Sequence, residues 1–185
     1  MNRLNLIPLG KINTFVVPDE IDEITADSSA LSVFTDFSIT KPLIIESSLS
    51  ALETERLMKK AHVRLKLVLN DKGEFIGIVS AEDLLERKIV QKLQKGDKRQ
   101  DLSITDFMTP ANNLWVLEFD QVKNSKIKHV IQALKDYGQQ HCLVVESKIN
   151  KIRGLFSVSD ISRKLKVDID IQDRPSFAKL ASKLE

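Results

Sequence analysis

One short pattern occurs twice in this chain and constrains its fold more than any other feature. Gly77–Asp83 and Gly154–Asp160 both consist of Gly, two apolar residues, Ser, two variable residues and Asp, and the second copy begins 77 positions after the first. Self-similarity at a fixed spacing indicates repeated supersecondary units, each of which buries its apolar face against the other. We therefore expect two copies of one unit.

The residues around the first copy predict a strand, a helix, two strands and a second helix. Ser50 and Glu53 have the spacing of a capping box at the start of the first helix. Asn70–Gly73 is a tight-turn sequence between two runs rich in β-formers. In chain order the predicted elements are a strand at Pro42–Ile45, a helix at Ser50–Ala61, strands at Leu65–Leu69 and Glu74–Val79, and a helix that begins near Ala81.

The second copy predicts the same order. Its first helix has an apolar face at helical spacing and ends near Gly138. The predicted elements are a strand at Trp115–Leu117, a helix with Ile127, Val130, Ile131, Leu134 and Tyr137 on one face, strands at Cys142–Val145 and Lys151–Phe156, and a helix from Ser159 or Asp160. The chain is thus an α+β protein with β-α-β-β-α written twice. The expected segments are an extension at 1–30, repeats at 31–95 and 103–167, a linker at 96–102 and a tail at 168–185.

Composition excludes several classes of protein. The apolar fraction of 42% is enough for a hydrophobic core. The net charge of +2 is much smaller than that expected of a dedicated nucleic-acid binder. The single cysteine, Cys142, excludes a disulfide framework or a cysteine-rich zinc site. No run of residues predicts a signal peptide or a membrane span, so a cytoplasmic protein is expected. The basic stretch Arg87–Gln100 predicts a solvated linker, with RNA or an acidic partner as the alternative.

The repeated junction has the chemistry to hold a nucleoside. A carboxylate can accept two hydrogen bonds from the vicinal hydroxyls of a ribose, and a Ser hydroxyl or a free helix amide can bind phosphate. The Gly permits close approach of backbone or ligand. Ser-x-x-Asp before a helix is also a capping pattern, so a purely structural role is the alternative.

With these junctions, the chain resembles the CBS domain, the repeat named after cystathionine β-synthase, over roughly residues 31–167. Ile104–Pro110 is similar to the Asp-x-Met-Thr lead-in of a CBS repeat, and Phe34–Phe37 matches it more weakly. The resemblance implies a pseudo-two-fold CBS pair, or Bateman module. It also implies homodimerisation and a regulatory ligand (AMP, ADP, ATP or S-adenosylmethionine) in the clefts between repeats. It implies no obligatory cofactor, no metal and no enzymatic activity, and a separate, unknown effector protein.

The resemblance also assigns site residues. Asp83 and Asp160 are the expected ribose ligands, with Ser80 and Ser157 as their neighbours. Arg64 precedes the second strand, where one nucleotide-sensing family member has a phosphate-binding arginine, so the resemblance implies that it contacts phosphate. His141 is taken as the matching position in the second copy, and Thr109 of the lead-in is a further implied site residue.

Other residues that could carry chemistry have simpler interpretations. We expect His62 and His129 at the surface, Cys142 in a buried strand, and Trp115 and Tyr137 in the core. The sequence contains no phosphate-loop, His-Glu-x-x-His or Gly-x-Ser-x-Gly motif. The competing hypothesis to a ligand sensor is an interaction module with empty clefts, in which the Ser and Asp residues only cap helices.

Overall fold

The structure is a computed structural model that describes residues 23–93 and 101–171, together with Lys11, Thr14 and Lys98. Most of the predicted extension, part of the basic linker and most of the tail therefore lie outside the described residues. The part of the extension that is described packs on the second repeat. Asp27 forms ion pairs with Lys126 (3.1 Å) and Lys128 (2.7 Å).

The first repeat has the predicted order of elements. The Ser50 hydroxyl accepts a hydrogen bond from the Glu53 amide (3.2 Å), so half of the predicted capping box is present. The described elements are β1 at Thr35–Asp36, β2 at Ile44–Glu46, α1 at Ala51–Lys60, β3 at Leu65–Leu69, β4 at Phe75–Ser80 and α2 at Glu86–Lys92.

The second repeat adds one short helix to that order. The described elements are β5 at Thr109–Pro110, β6 at Val116–Glu118, α3 at Phe119–Lys123, α4 at Ile127–Asp136, β7 at His141–Glu146, β8 at Lys151–Ser157 and α5 at Val158–Leu165. The helix α3 was not predicted, because its five residues are too few to show a helical period.

The strands form two four-stranded sheets, and each sheet takes one strand from the other repeat. The sheet orders are β1-β8-β7-β6 and β2-β3-β4-β5. In each sheet the crossover through a helix pairs two strands in parallel (β2 with β3, β6 with β7), and the hairpin that follows is antiparallel. The lead-in strand of each repeat pairs antiparallel with the last strand of the other, β1 with β8 and β5 with β4.

This exchange explains the glycine of the repeated pattern. A Cβ on Gly154 would overlap the carbonyl oxygen of Thr35 and the ring of Phe34, and a Cβ on Gly77 would overlap the carbonyl oxygen of Thr109. The glycines therefore serve the close approach of the exchanged backbone.

The core of the second repeat includes the lead-in of the first. Ala30 and Val33 lie in a 3-10 helix at Ala30–Val33 and are 0% and 2% exposed. They pack in the cluster that contains Val144 and Phe156, both completely buried.

The first repeat is completed in the same way. Leu102, Ile104 and Phe107, from the lead-in of the second repeat, pack in the cluster that contains Val68 and Val79. Each core therefore contains residues of both repeats, in agreement with the expectation that neither unit closes a core alone.

Two expectations about this fold were wrong. Trp115 and Tyr137 are 65% and 58% exposed, and their rings are in tilted contact at the surface with centroids 5.3 Å apart. The helix expected to begin near Ala81 begins at Glu86, because Ser80 and Asp83 close a turn before it.

We expect Gly154→Ala to destabilise the protein more than Gly73→Ala. The alanine methyl at position 154 would meet the backbone of Thr35, and overpacking of this kind costs about 1–3 kcal/mol or more. Gly73 has a φ of 75° and nothing within 4 Å of its ideal Cβ, so its variant measures only the cost of a left-handed backbone, about 1–2 kcal/mol. Urea unfolding of both variants provides the test. A smaller effect at position 154 than at position 73 would contradict the close approach.

Candidate functional site

The two repeats together line a cleft of about 540 Å³. We call it the Asp160 cleft, after the carboxylate at its edge. The first repeat contributes the segment around β1 and the start of β3, and the second contributes the end of β8 and the start of α5. The residues that line the cleft are Thr35, Phe37, Thr40, Lys41, Leu43, His62, Val63, Arg64, Leu65, Leu67, His141, Leu155, Ser157, Ser159, Asp160 and Arg163.

Asp160 lies in the first turn of α5, where the helix dipole favours a carboxylate. Arg163, one turn later, donates a hydrogen bond to its Oδ1. The Ser157 hydroxyl is directed to the Ser159 hydroxyl (2.9 Å) and not to Asp160. Within the described residues, Oδ2 of Asp160 has no hydrogen-bond partner, so this oxygen is available to a ligand.

The matching junction of the first repeat is closed on itself. Asp83 Oδ2 accepts hydrogen bonds from the Ser80 amide (2.9 Å) and the Ser80 hydroxyl (2.6 Å), and Lys88 Nζ lies 2.8 Å from Oδ1. The Ser80 hydroxyl also accepts a hydrogen bond from the Asp83 amide (3.3 Å). Both carboxylate oxygens of Asp83 are therefore occupied by its own repeat, as the structural interpretation of the pattern expects. Ser80 and Asp83 do not line the Asp160 cleft.

The structural counterpart of Arg64 is Gln140 and not His141. The Arg64 carbonyl accepts a hydrogen bond from the Ala81 amide (2.9 Å), and the Gln140 carbonyl accepts one from the Val158 amide (3.0 Å). His141 pairs with Ser157, as the first residue of β3 pairs with Ser80. The sequence-based match was wrong by one position, because the hairpin of the second repeat is one residue longer. Arg64 thus has an uncharged counterpart in the second repeat.

His141 lies half-buried between the two junctions. Burial, followed by the positive charge of Arg64, lowers the pKa of His141 to about 4, although Asp160 and Asp83 act in the opposite direction. The imidazole is therefore neutral at neutral pH. It can donate or accept a hydrogen bond in the cleft, but it does not replace the charge of an arginine.

The structure brings most of the predicted residues of the second junction together with Arg64. Ser157, Asp160 and His141 line the same cleft, on the side facing Arg64. Thr109 lies elsewhere, on β5, where it pairs with Ile78 of β4.

The residues that sequence reasoning missed are Thr35, Lys41, Arg163 and His62. Thr35 occupies the position in its sheet that Thr109 occupies in the other sheet. The weak match of Phe34–Phe37 to the lead-in could therefore have indicated Thr35. Arg163 follows Asp160 by three residues on a predicted helix, a spacing that places two side chains on one face. His62 is exposed, as expected, but it lines the cleft. Nothing in the sequence indicates Lys41, because only the exchange of β1 brings it there.

Cys142 is buried in β7 at 7% exposure, as predicted. Burial raises the pKa of its thiol to about 11. The thiol is therefore protonated and is not poised as a nucleophile.

Comparison with known proteins agrees with this geometry. Residues 34–89 match the family model of the CBS domain. A crystal structure of an uncharacterized conserved protein from Pyrococcus horikoshii is 24% identical, with a TM-score of 0.58 over 80% of this chain and 98% of that one. No curated protein matches the chain in sequence.

Two further solved structures share the fold and were determined with ligands. The CBS domain pair of an 18% identical protein, in complex with 5'-methylthioadenosine and S-adenosyl-L-methionine, has a TM-score of 0.53 over 74% of this chain and 94% of that one. CBSX2 in complex with AMP is 20% identical, with a TM-score of 0.50 over 73% of this chain and 93% of that one.

The fold and the two junctions define a protein built from a pair of α+β repeats. The first repeat matches the model of the CBS domain, and the chain shares the fold of solved CBS-domain pairs, which confirms the predicted fold class. Among the described residues, no helix is long and apolar enough to cross a membrane.

We expect the free energy of unfolding to fall as the pH decreases from 6.5 to 4, and His141→Leu to flatten this dependence. In this window an unfolded imidazole binds a proton and the folded His141 does not, so protons favour the unfolded state. The full difference is about 3 kcal/mol at most. Leucine is the residue at the equivalent position 65 and fits a buried strand. Urea unfolding of both proteins across this pH range measures the effect, and parallel pH profiles would contradict the neutral state of His141.

Proposed function

We propose that the protein is a regulatory module that senses an adenosine-type ligand in the Asp160 cleft. The observation that carries this proposal is the composition of the cleft. An open carboxylate oxygen of Asp160 faces apolar strand residues and basic side chains across a volume of about 540 Å³. Small-molecule sites have volumes of about 300–1,000 Å³ and combine an apolar lining with a few polar groups.

Each part of an adenosine ligand has a matching part of the cleft. Asp160 is suited to the vicinal hydroxyls of a ribose, because a carboxylate accepts two hydrogen bonds. The apolar side chains of Leu65, Leu67 and Leu155 offer a surface for the purine ring. The Ser157 and Ser159 hydroxyls lie beside Asp160 and add donors and acceptors.

The ligands of the structural neighbours support the same class. CBS-domain pairs of this fold were solved with 5'-methylthioadenosine and S-adenosyl-L-methionine, and with AMP. These compounds share an adenosine group, so that group defines the class proposed here for the Asp160 cleft.

The differences between the two junctions support one principal site in each chain. Asp83 is engaged by Ser80 and Lys88, so a ribose would have to displace these groups to reach it. Among the described residues, Arg163 is the one partner of Asp160, and because its side chain is 74% exposed the ion pair is weak. Ser80 and Asp83 are assigned a mainly structural role.

A ligand in the Asp160 cleft would contact both repeats. Because Arg64 and Leu65 come from one repeat and Asp160 from the other, binding favours the arrangement in which the two stay together. A partner that distinguishes this arrangement would sense the ligand, with a coupling free energy of about 1–3 kcal/mol. Homodimerisation and a separate effector protein complete the proposal, as the resemblance to CBS proteins implies.

We expect Asp160→Ala to abolish the stabilisation of the protein by its ligand. The wild type should unfold at a higher temperature with at least one of AMP, ADP, ATP and S-adenosylmethionine, since a ligand at 100 times its Kd stabilises the native state by about 2.7 kcal/mol. Asp160→Ala removes the proposed ribose contact and should lose the shift. Differential scanning calorimetry of both proteins with each compound measures it.

Asp120→Ala is the matched control. Asp120 is, like Asp160, a partly exposed aspartate of the second repeat with basic partners, Lys123 and Lys148 at 2.6 Å each, but it lies outside the cleft. This variant should keep the full shift, and Asp83→Ala should keep it from a lower starting midpoint. A shift that survives Asp160→Ala and disappears in Asp83→Ala would place the site at the first junction instead.

One observation favours a second function, protein interaction. The exposed Trp115–Tyr137 pair is an aromatic surface of the kind that is enriched at interfaces. An interaction module with empty clefts would bind its partner equally well with and without Asp160→Ala. A ligand sensor would bind its partner differently in the two proteins.

A further inference from the structure

His62 follows α1 in a left-handed backbone conformation that costs stability, and its side chain lines the Asp160 cleft. We infer that the imidazole ring of His62 contacts the base of the ligand, so that the chain keeps a strained residue at this position for binding. This inference rests on the proposed function, since it names a further residue of the same site and the part of the ligand that it contacts.

The backbone at the end of α1 forms a Schellman motif, in which the residue after the helix is left-handed and two amides bond back to the last turn. His62 has a φ of 53°. Its amide donates a hydrogen bond to the carbonyl of Lys59 (3.2 Å), and the amide of Val63 donates one to the carbonyl of Met58 (3.0 Å). The conformation of His62 is therefore fixed by the way in which the helix ends.

The second repeat ends its long helix α4 in the same motif, but with glycine at the left-handed position. Gly138 has a φ of 62°. Its amide donates a hydrogen bond to the carbonyl of Lys135 (3.1 Å), and the amide of Gln139 donates one to the carbonyl of Leu134 (2.9 Å). Gly138 is thus the structural counterpart of His62, and the two repeats differ here in the side chain and not in the backbone.

Glycine is the residue that this backbone favours. A left-handed conformation brings the Cβ of an L-residue too close to the neighbouring backbone, and glycine has no Cβ. Histidine occurs there more often than most residues but still bears part of this cost. The His62 side chain is exposed, and among the described residues no hydrogen bond or ion pair involves its imidazole. The contacts of the described fold therefore give no reason for histidine at this position.

The edge of the cleft next to His62 is apolar. Leu43 lines the same cleft and is 49% exposed. Leu43 precedes β2 as Trp115 precedes β6, and Ala61 ends α1 as Tyr137 ends α4. Because the rings of Trp115 and Tyr137 are in contact, with centroids 5.3 Å apart, we expect Leu43 and the end of α1 to be neighbours as well. His62 and Leu43 then lie on one edge of the cleft.

A purine base fits this edge better than a ribose or a phosphate does. Bases stack on aromatic side chains, histidine included, and their flat faces also pack on apolar groups. Asp160 comes from the other repeat and is suited to the ribose hydroxyls, which leaves the base for the apolar part of the lining. In this placement His62 and Leu43 cover the base, and the ligand removes two exposed side chains from water.

The first part of the test compares His62→Gly with Lys166→Gly. Lys166 is an exposed residue outside the cleft and has the same motif after α5, with a φ of 56° and a hydrogen bond from the Val167 amide to the Ser162 carbonyl (3.2 Å). Without ligand, both variants should raise the midpoint of thermal unfolding by about 2–4 °C, because glycine removes the cost of the left-handed backbone. A lower midpoint for His62→Gly would show that the side chain stabilises the fold, and the inference would be wrong.

The second part measures affinities of the full chain for AMP, ADP, ATP and S-adenosylmethionine by isothermal titration calorimetry. His62→Gly should weaken every compound that binds the wild type by about tenfold, because the contact between the ring and the base is lost. His62→Asn should have the same effect, since asparagine tolerates a left-handed backbone and keeps a polar group but has no ring. Lys166→Gly should leave all affinities unchanged.

The possible results distinguish this inference from the proposed function. If both His62 variants bind as tightly as the wild type while Asp160→Ala does not bind, the adenosine site stands and the role of His62 is wrong. If the His62 variants weaken some of the bound compounds and not others, His62 contacts a part that these compounds do not share, and the assignment to the base is wrong. If none of the four compounds binds the wild type, the proposed function fails and this inference fails with it.

Discussion

The contact between the Thr35 carbonyl and Gly154, with its counterpart between Thr109 and Gly77, determines how the two repeats are joined. Each contact lets the lead-in strand of one repeat pair with the last strand of the other. The apolar residues that precede each lead-in strand then enter the core of the other repeat. A side chain at either glycine would separate the strands. The repeated pattern therefore needs glycine for the assembly of the two repeats, whether or not a ligand binds.

The exchange also builds the cleft. Because β1 belongs to the sheet of the second repeat, the segment between β1 and β2 runs along the cleft, where Thr40 and Lys41 line it together with Asp160. An ion pair strengthens this arrangement. Arg153 on β8 donates two hydrogen bonds to Asp36 on β1, at 2.8 and 3.0 Å, and holds the pKa of that carboxyl far below its usual range. The side chains of Arg153 and Asp36 are 27% and 21% exposed, so this pair is less screened by solvent than one at the open surface.

Sequence reasoning could predict the parts that depend on local chemistry. The hairpins, the helix of Ile127–Asp136 and the repeated Gly-to-Asp junctions follow from turn residues, apolar periodicity and self-similarity. Sequence reasoning could not predict which repeat each lead-in strand joins, because pairing between strands distant in sequence depends on tertiary contacts. A difference of one residue in hairpin length was enough to misplace the counterpart of Arg64. Trp115 was assigned to the core because aromatic residues are usually buried, yet it directly precedes the edge strand β6 and its ring contacts that of Tyr137 at the surface.

The two junctions show that capping and ligand binding are alternative uses of one pattern. At the first junction the Ser80 amide and hydroxyl bind Asp83, which closes a turn and delays the helix to Glu86. At the second, the helix begins directly at Val158, and the Ser157 hydroxyl is directed to Ser159. Asp160 then lies on a helical turn with one oxygen open to the cleft. The position at which the helix starts, relative to the serine, therefore decides whether the aspartate binds the backbone or is available to a ligand. This position depends on residues that the pattern leaves variable.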